Sequence, residues 1–110
     1  MKELQNYVES IRKELTAIYN GERTNDDGEQ MTVYDYFYDA LDVEYTYAST
    51  GELLGVRVYV TLGGPNVWVD TRAGEISGAW GTDRAAAWLP SEIASEIVDM
   101  FADCSPFAYR

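Results

Sequence analysis

Apolar residues recur at three- and four-residue steps near the start of the chain, the spacing that brings side chains to one face of an α-helix. The repeat consists of Leu4, Tyr7 or Val8, Ile11, Leu15 and Ile18. Gly21 follows the repeat, and glycine is the usual residue at a left-handed helix cap. The pattern therefore predicts a helix over residues 2–20.

A second helix is predicted over residues 32–41, after a polar loop at residues 22–30. Thr32 is a good N-cap, and Asp35 stands three positions later, where it can complete a capping box. The buried face of this helix would hold Val33, Phe37 and Leu41. A strand is the alternative for the same residues, because aromatic residues favour strands and tyrosines alternate at Tyr34, Tyr36 and Tyr38.

From Val43 to Trp80, apolar and polar residues alternate with a period of two, which is typical of half-buried strands. Four segments carry this alternation: residues 43–47, 56–62, 67–70 and 75–80. Three clusters of turn-forming residues separate them: Ser49–Glu52, Gly63–Asn66 and Thr71–Gly74. Because consecutive strands joined by short turns usually pair with one another, these segments predict a four-stranded antiparallel meander.

A last helix is predicted from Pro90–Ser91, because its apolar residues again follow the helical step, and Pro106 ends it. Residues 82–88 are interpreted as a connector between the sheet and this helix. The predicted fold class is α+β: two N-terminal helices, a four-stranded antiparallel β-meander and a C-terminal helix, with the helices packed on one face of the sheet. The length of 110 residues predicts a single domain spanning 1–110.

The chain is strongly acidic, with 19 Asp and Glu against 8 Lys and Arg and a net charge of −11. Acidic and basic residues balance up to Arg23, so the excess lies between Thr24 and Arg110. Such a charge repels nucleic acid and anionic membranes and attracts basic protein surfaces. The single cysteine, Cys104, and the charged amphipathic N-terminal segment lead us to expect a cytoplasmic protein.

Acidic residues form a stripe along the last predicted helix: Glu92, Glu96, Asp99 and Asp103. On the second predicted helix, a similar stripe consists of Asp35, Asp39 and Asp42. If the two helices lie side by side, the carboxylates form two rows that could occupy the basic groove of a nuclease or DNA-binding protein. The alternative is that both stripes are solvated faces that keep the protein soluble.

A second candidate surface is the sheet face turned away from the helices. If Val56 and Val58 point inward, Arg57 and Tyr59 point outward, and the next strand adds Trp68. Trp, Tyr and Arg are the residues that most often dominate binding energy at protein interfaces. Tyr59 and Trp68 are therefore candidate partner-binding residues, in a monomer or a homodimer. The alternative is that the first helix or the connector covers this face.

The sequence carries no specific catalytic or metal-binding motif. It has no histidine, and its carboxylate pairs are too numerous for any one pair to indicate an acid–base mechanism. Cys104 falls on the apolar side of the last predicted helix, which is typical of an inert core thiol. Asp26–Glu29 lacks the ligand spacing of an EF-hand, and Gly63–Asn66 lacks the Lys and Ser or Thr of a phosphate loop. We expect no enzymatic activity, no cofactor and no metal.

Two segments, Leu62–Thr71 and Gly78–Asp83, resemble parts of small uncharacterised acidic proteins carried by mobile elements of gut Firmicutes. The resemblance implies a context, because small acidic proteins on such elements are often suspected of disarming host restriction or CRISPR nucleases by presenting carboxylates where DNA would bind. It implies no activity and no binding residues. With the charge, it predicts an acidic protein-binding module, a DNA mimic or anti-defence inhibitor. The alternative is an accessory or homodimeric interaction domain that uses the aromatic sheet face.

Overall fold

The computed structural model describes residues 2–38, 40 and 42–104. Its elements in chain order are α1 (Lys2–Tyr19), α2 (Val33–Tyr36), β1 (Asp42–Tyr47), β2 (Leu53–Thr61), β3 (Asn66–Asp70), β4 (Glu75–Trp80), β5 (Asp83–Trp88) and α3 (Ser91–Cys104). The α+β class is confirmed, with a five-stranded sheet in place of the four strands predicted. The first helix is confirmed to within one residue, and Gly21 after it has a φ of 75°, as a left-handed cap requires.

The five strands pair in sequence order, and every neighbouring pair is antiparallel. The sheet is therefore the predicted meander with one strand more. β3 lies at its centre, where Trp68 stands opposite Tyr59 of β2 and Ser77 of β4. Gly74 closes the turn between β3 and β4 with a φ of 69°, a region that favours glycine. The predicted turn at Thr71–Gly74 is thus confirmed.

The fifth strand corrects the prediction that residues 82–88 form a connector. Its residues alternate between buried positions, Ala85 and Ala87, and exposed positions, Arg84, Ala86 and Trp88. The alanines make this strand difficult to predict from the sequence, because alanine is a weak strand former and gives little difference in hydrophobicity between the two faces. The period of two is present in the sequence, but it lacks the large apolar side chains that mark β2 and β3.

The second helix is shorter than predicted, since α2 is a single turn. The capping box is present: the Asp35 amide donates to the Thr32 hydroxyl at 3.3 Å, and the Thr32 amide donates to the Asp35 carboxylate at 2.9 Å. Phe37 and Tyr38 already form a turn, so the helix does not continue past Tyr36. Aromatic residues are modest helix formers, and a helix this short has little intrinsic stability. Leu41, the predicted last residue of the helix, lies outside the described residues.

α1 and α3 pack on the same face of the sheet and form one core with it. α1 lies against β4 and β5, whereas α3 lies against β2. Gly78 permits the close approach of α1, because a Cβ at this position would lie 2.8 Å from Leu4 Cδ1 and 3.3 Å from Val8 Cγ1. At the outer edge of the sheet, the Gln5 side-chain amide donates a hydrogen bond of 2.9 Å to the Ala86 carbonyl. The inward side chains of the strands complete this core: Val56, Val58, Val67, Val69, Ile76, Ala85 and Ala87.

Candidate protein-binding surfaces

The open face of the sheet, which carries the outward side chains of β1 to β5, is the face opposite α1 and α3. Val56 and Val58 are buried on the core side, so the alternation predicted for β2 is confirmed. Arg57 and Tyr59 lie between and after them and point to the open face, where Trp68 joins them from β3. Since β3 is the middle strand, these three residues stand at the centre of the face.

Trp68 is held between two neighbours from β2. The ring centroids of Tyr59 and Trp68 are 6.0 Å apart, with the ring planes tilted by 44°. The Arg57 guanidinium carbon lies 5.4 Å from the centroid of the Trp68 ring, within the range of a cation–π contact. Arg57 also forms an ion pair of 3.2 Å with Asp70, its neighbour across the strands. The three side chains therefore constrain one another.

Hydrogen bonds fix the carboxylates around this cluster. The Tyr59 hydroxyl donates to Glu44 Oε1 at 2.6 Å, and Asp70 Oδ1 accepts the backbone amides of Arg72 and Ala73 at 3.0 Å each. A hydrogen bond with the Tyr59 side chain, and then the interaction with Asp70, raise the pKa of Arg57, although partial burial acts in the opposite direction. The guanidinium is thus charged and anchored over the indole.

Trp88 also belongs to the open face, and sequence reasoning missed it because β5 was interpreted as a connector. Its side chain points outward next to Ala87, which is buried, and 70% of its surface is exposed. Trp80, at the opposite end of the neighbouring strand, is 49% exposed. The alternation of residues 84–88 is the signal that could have placed Trp88 on this face.

The acidic stripe of α3 is a separate surface. Glu92, Glu96 and Asp99 are exposed along the helix, as its spacing predicted. Asp103 lies in the last turn of the same helix. Within the described residues, no lysine or arginine forms an ion pair with the three exposed carboxylates. One continuous acidic row therefore faces solvent.

The second acidic row does not exist as a helical stripe, because α2 is too short to carry it. Asp35 uses its carboxylate in the capping box with Thr32. Asp42 is the first residue of β1, and its carboxylate accepts the Val43 amide at 2.9 Å. Asp39 lies outside the described residues. Of the predicted carboxylates that the structure describes, those on α3 lie along one helix, whereas Asp35 and Asp42 do not form a second row.

A groove of about 550 Å³ lies between α3 and the turn that joins β3 to β4. Small residues of α3, Ala94 and Ser95, line it together with the larger apolar side chains of Leu54 and Val98. Arg72 on the turn and Asp99 on the helix add one charge of each sign, and Trp88 also lines the groove. This groove will be called the α3 groove.

The part of the chain that the structure describes offers neither a cluster of metal ligands nor a membrane-spanning helix. No group of three or more His, Cys, Asp and Glu residues there is arranged to hold a metal ion. None of the helices in those ranges combines the length and the hydropathy needed to cross a membrane.

Comparisons with protein-family models, with curated proteins and with solved structures found no match to this chain. The resemblance to acidic proteins of mobile elements therefore stays a prediction from the sequence. The geometry of the open face and of α3 is what supports a function.

Proposed function

We propose that the chain is a protein-binding module that docks its partner on the open face through Arg57, Tyr59 and Trp68. The observation that carries the proposal is the position of Trp68, in the middle strand and between Tyr59 and Arg57. Tryptophan, tyrosine and arginine near the centre of a surface are the residues that commonly supply most of the binding energy at an interface.

The restrained conformations of Arg57 and Tyr59 beside Trp68 support this proposal. Binding is weakened when side chains must be immobilised at the interface, at a cost of about 0.5–1.5 kcal/mol for each flexible side chain. Here Arg57 is already restrained by Asp70, and Tyr59 by Glu44. These side chains are therefore already restrained before a partner binds, so that binding costs less side-chain conformational entropy.

The size of the face indicates the form of the partner. Five strands about 4.8 Å apart, of about six residues each, span a planar area of roughly 20 Å by 20 Å. That area of about 400 Å² is half of the ~800 Å² that each partner buries in an interface of standard size. We infer that the partner contributes a single helix or loop to the open face.

Affinity capture with three proteins tests the proposal. The wild-type chain and Trp80→Ala, which alters a tryptophan away from the cluster, should retain the same partner. Trp68→Ala should reduce its recovery at least tenfold, because a central tryptophan typically contributes 2 kcal/mol or more. Equal recovery by Trp68→Ala and the wild-type chain would contradict the proposal.

A second candidate function is that α3 engages a basic surface, such as a nuclease or DNA-binding protein, as a DNA mimic or anti-defence inhibitor. The exposed carboxylates of Glu92, Glu96 and Asp99, unpaired within the described residues, favour it. The triple variant Glu92→Lys, Glu96→Lys and Asp99→Lys separates the two candidates. It should abolish capture of a partner that binds α3, which should also elute at ~0.5 M salt, and it should leave a partner of the open face bound.

A further inference from the structure

A pocket of about 390 Å³ lies on the open face beside Trp68, on the side of β4 and β5. It is lined by Trp68, by Glu75 and Ser77 of β4, and by the small residue Ala86 of β5. In the strand register Ser77 stands opposite both Trp68 and Ala86, so small side chains form the floor next to the indole. The volume is near the lower end of the range for ligand pockets, about 300–1,000 Å³, and suits a single side chain. This pocket will be called the Trp68 pocket.

Glu75 brings to the Trp68 pocket a half-buried carboxylate that no lysine or arginine of the described residues neutralises. Its Oε1 atom accepts the Ser77 hydroxyl at 3.0 Å. Arg84 also lines the pocket, but its guanidinium donates to the carbonyls of Gly81 and Asp83, at 2.9 and 2.8 Å. A carboxylate has about four acceptor sites, so Glu75 can still accept hydrogen bonds from a cation.

Asp70 and Glu75 stand directly opposite each other on β3 and β4. Like charges in this position destabilise a sheet. Asp70 is compensated by Arg57 at 3.2 Å and by two backbone amides, whereas Glu75 accepts the Ser77 hydroxyl. The two facing carboxylates thus share one arginine, and a second cation beside Glu75 would remove the imbalance.

Arg57 shows how this face holds a guanidinium. Its guanidinium pairs with Asp70 at 3.2 Å and lies 5.4 Å from the centroid of the Trp68 ring. The Trp68 pocket offers the same kinds of group toward β4 instead of β2, with Glu75 in place of Asp70. A planar guanidinium can pair with a carboxylate through two N–H bonds and can stack on an aromatic ring, whereas an ammonium is a compact, strongly hydrated charge. The pocket therefore matches arginine better than lysine.

We propose that the Trp68 pocket receives an arginine side chain of the partner, which pairs with Glu75 and packs against Trp68. The inference rests on the proposed function, because it names the chemistry of the segment that docks on the open face. The net charge of −11 favours the approach of a basic segment. The helix or loop that the partner presents is thus expected to carry an arginine at the point where it meets Trp68.

Titration of the full chain with acetyl-arginine amide, followed by NMR of isotope-labelled indole groups, tests the pocket without a partner. The Trp68 signal should shift and saturate. The Trp80 signal should stay in place, because Trp80 lies outside the pocket. Acetyl-citrulline amide has nearly the same shape without the charge, and it should not shift Trp68 at the same concentrations. Acetyl-lysine amide keeps the charge without the planar group, and it should bind more weakly than the arginine probe.

Three variants locate the binding of acetyl-arginine amide. Glu75→Gln should weaken it by about tenfold, because the probe loses a charged hydrogen-bond acceptor. Glu22→Gln is the matched control, since it removes the same charge from an exposed position after α1 and should leave the dissociation constant unchanged. Ala86→Leu, at an exposed position of β5, should fill the pocket without a change of charge and abolish the shift of Trp68.

Three results would overturn the inference: a Trp68 signal that acetyl-arginine amide does not shift, equal affinity of the wild-type chain and Glu75→Gln for this probe, or equal affinity of the wild-type chain for the arginine and lysine probes.

Partner capture separates the failure of this inference from that of the proposed function. Glu75→Gln and Ala86→Leu should reduce recovery of the partner, as Trp68→Ala does. If Trp68→Ala alone reduces it, the partner docks on the open face without an arginine in the pocket, and only the inference fails. If Trp68→Ala leaves recovery unchanged, the proposed function fails and the inference fails with it.

Discussion

Tyr59 and Trp68 stand directly opposite each other on β2 and β3, and their rings lie 6.0 Å apart at the centre of the open face. Cross-strand aromatic pairs of this kind stabilise a sheet by about 0.2–1 kcal/mol. Their outer surfaces remain accessible, because the helices pack on the other side of the sheet. The pair therefore contributes both to the sheet and to the surface that we propose for binding.

Replacing Arg57 by lysine should weaken partner binding more than it weakens the fold. Lysine keeps the positive charge but loses the planar group that stacks on Trp68 and pairs with Asp70. Because the ion pair is partly exposed, we expect the free energy of unfolding to fall by less than about 1 kcal/mol. Partner capture should fall several-fold. Urea unfolding and quantitative capture measure the two effects, and unchanged capture would show that the guanidinium is not part of the binding surface.

Gly78→Ala should destabilise the fold. The new methyl group would lie 2.8 Å from Leu4 Cδ1, in a core where Leu4 is only 2% exposed and has little room to move. Overpacking of this kind typically costs about 1–3 kcal/mol. Gly64→Ala is the control, because a Cβ at that position meets nothing within 4 Å. Equal melting temperatures for the two variants would show that α1 can shift away from β4 without penalty.

Thr32→Ala should remove the capping box of α2 and lower the free energy of unfolding by about 1 kcal/mol. The Asp35 amide would lose its acceptor, and the Asp35 carboxylate would keep only the Thr32 backbone amide. Asp35→Ala should cost a similar amount, and the double variant should cost less than the sum, since the two side chains act together. Additive costs, measured by urea unfolding, would contradict a coupled box.

Stability at high pH should depend on Tyr36. Burial, followed by the nearby Glu14 carboxylate, raises the pKa of its phenol above the ordinary value. The unfolded chain ionises this phenol near pH 10, so its contribution to stability is complete below about pH 10 and is lost as the pH rises further. Tyr36→Phe should therefore lose less stability than the wild-type chain above about pH 10.

Tyr38→Phe is the matched control for this pH experiment, because it removes the hydroxyl of a tyrosine that is 73% exposed. Its free energy of unfolding, measured by urea at successive pH values, should follow the wild-type curve. A Tyr36→Phe curve parallel to the wild-type curve would exclude Tyr36 as the source of the loss.

Local periodicity was enough to predict most of the fold. In α1, β2 and β3, large apolar residues alternate with polar ones at the period of the element. The sequence therefore predicts the bounds of the helix and the buried faces of the strands. β5 lacked that contrast because its buried positions are alanines. α2 was overextended because a capping box marks where a helix begins and says nothing about how far it continues.

The candidate surfaces were predictable to the same degree as the elements beneath them. Tyr59 and Trp68 follow from strand alternation, and the stripe at Glu92, Glu96 and Asp99 follows from helical spacing. Trp88 was not predicted as a surface residue because β5 was not predicted. The second acidic row was predicted on a helix that is only one turn long in the structure. The α3 groove joins Leu54, Arg72 and Ala94, which are distant in sequence, so no local pattern could indicate it.

The hydrogen bond from Gln5 to the Ala86 carbonyl has a consequence for the outer boundary of the sheet. Antiparallel pairing alternates along a ladder, and Ala86, opposite Ser77, belongs to a pair whose backbone groups point away from β4. An unoccupied carbonyl at that position would offer a foreign strand a place to attach, as in amyloid growth. Because Gln5 occupies this carbonyl, we expect α1 to hinder the addition of a foreign strand to β5, and we expect Gln5→Ala to make such addition easier.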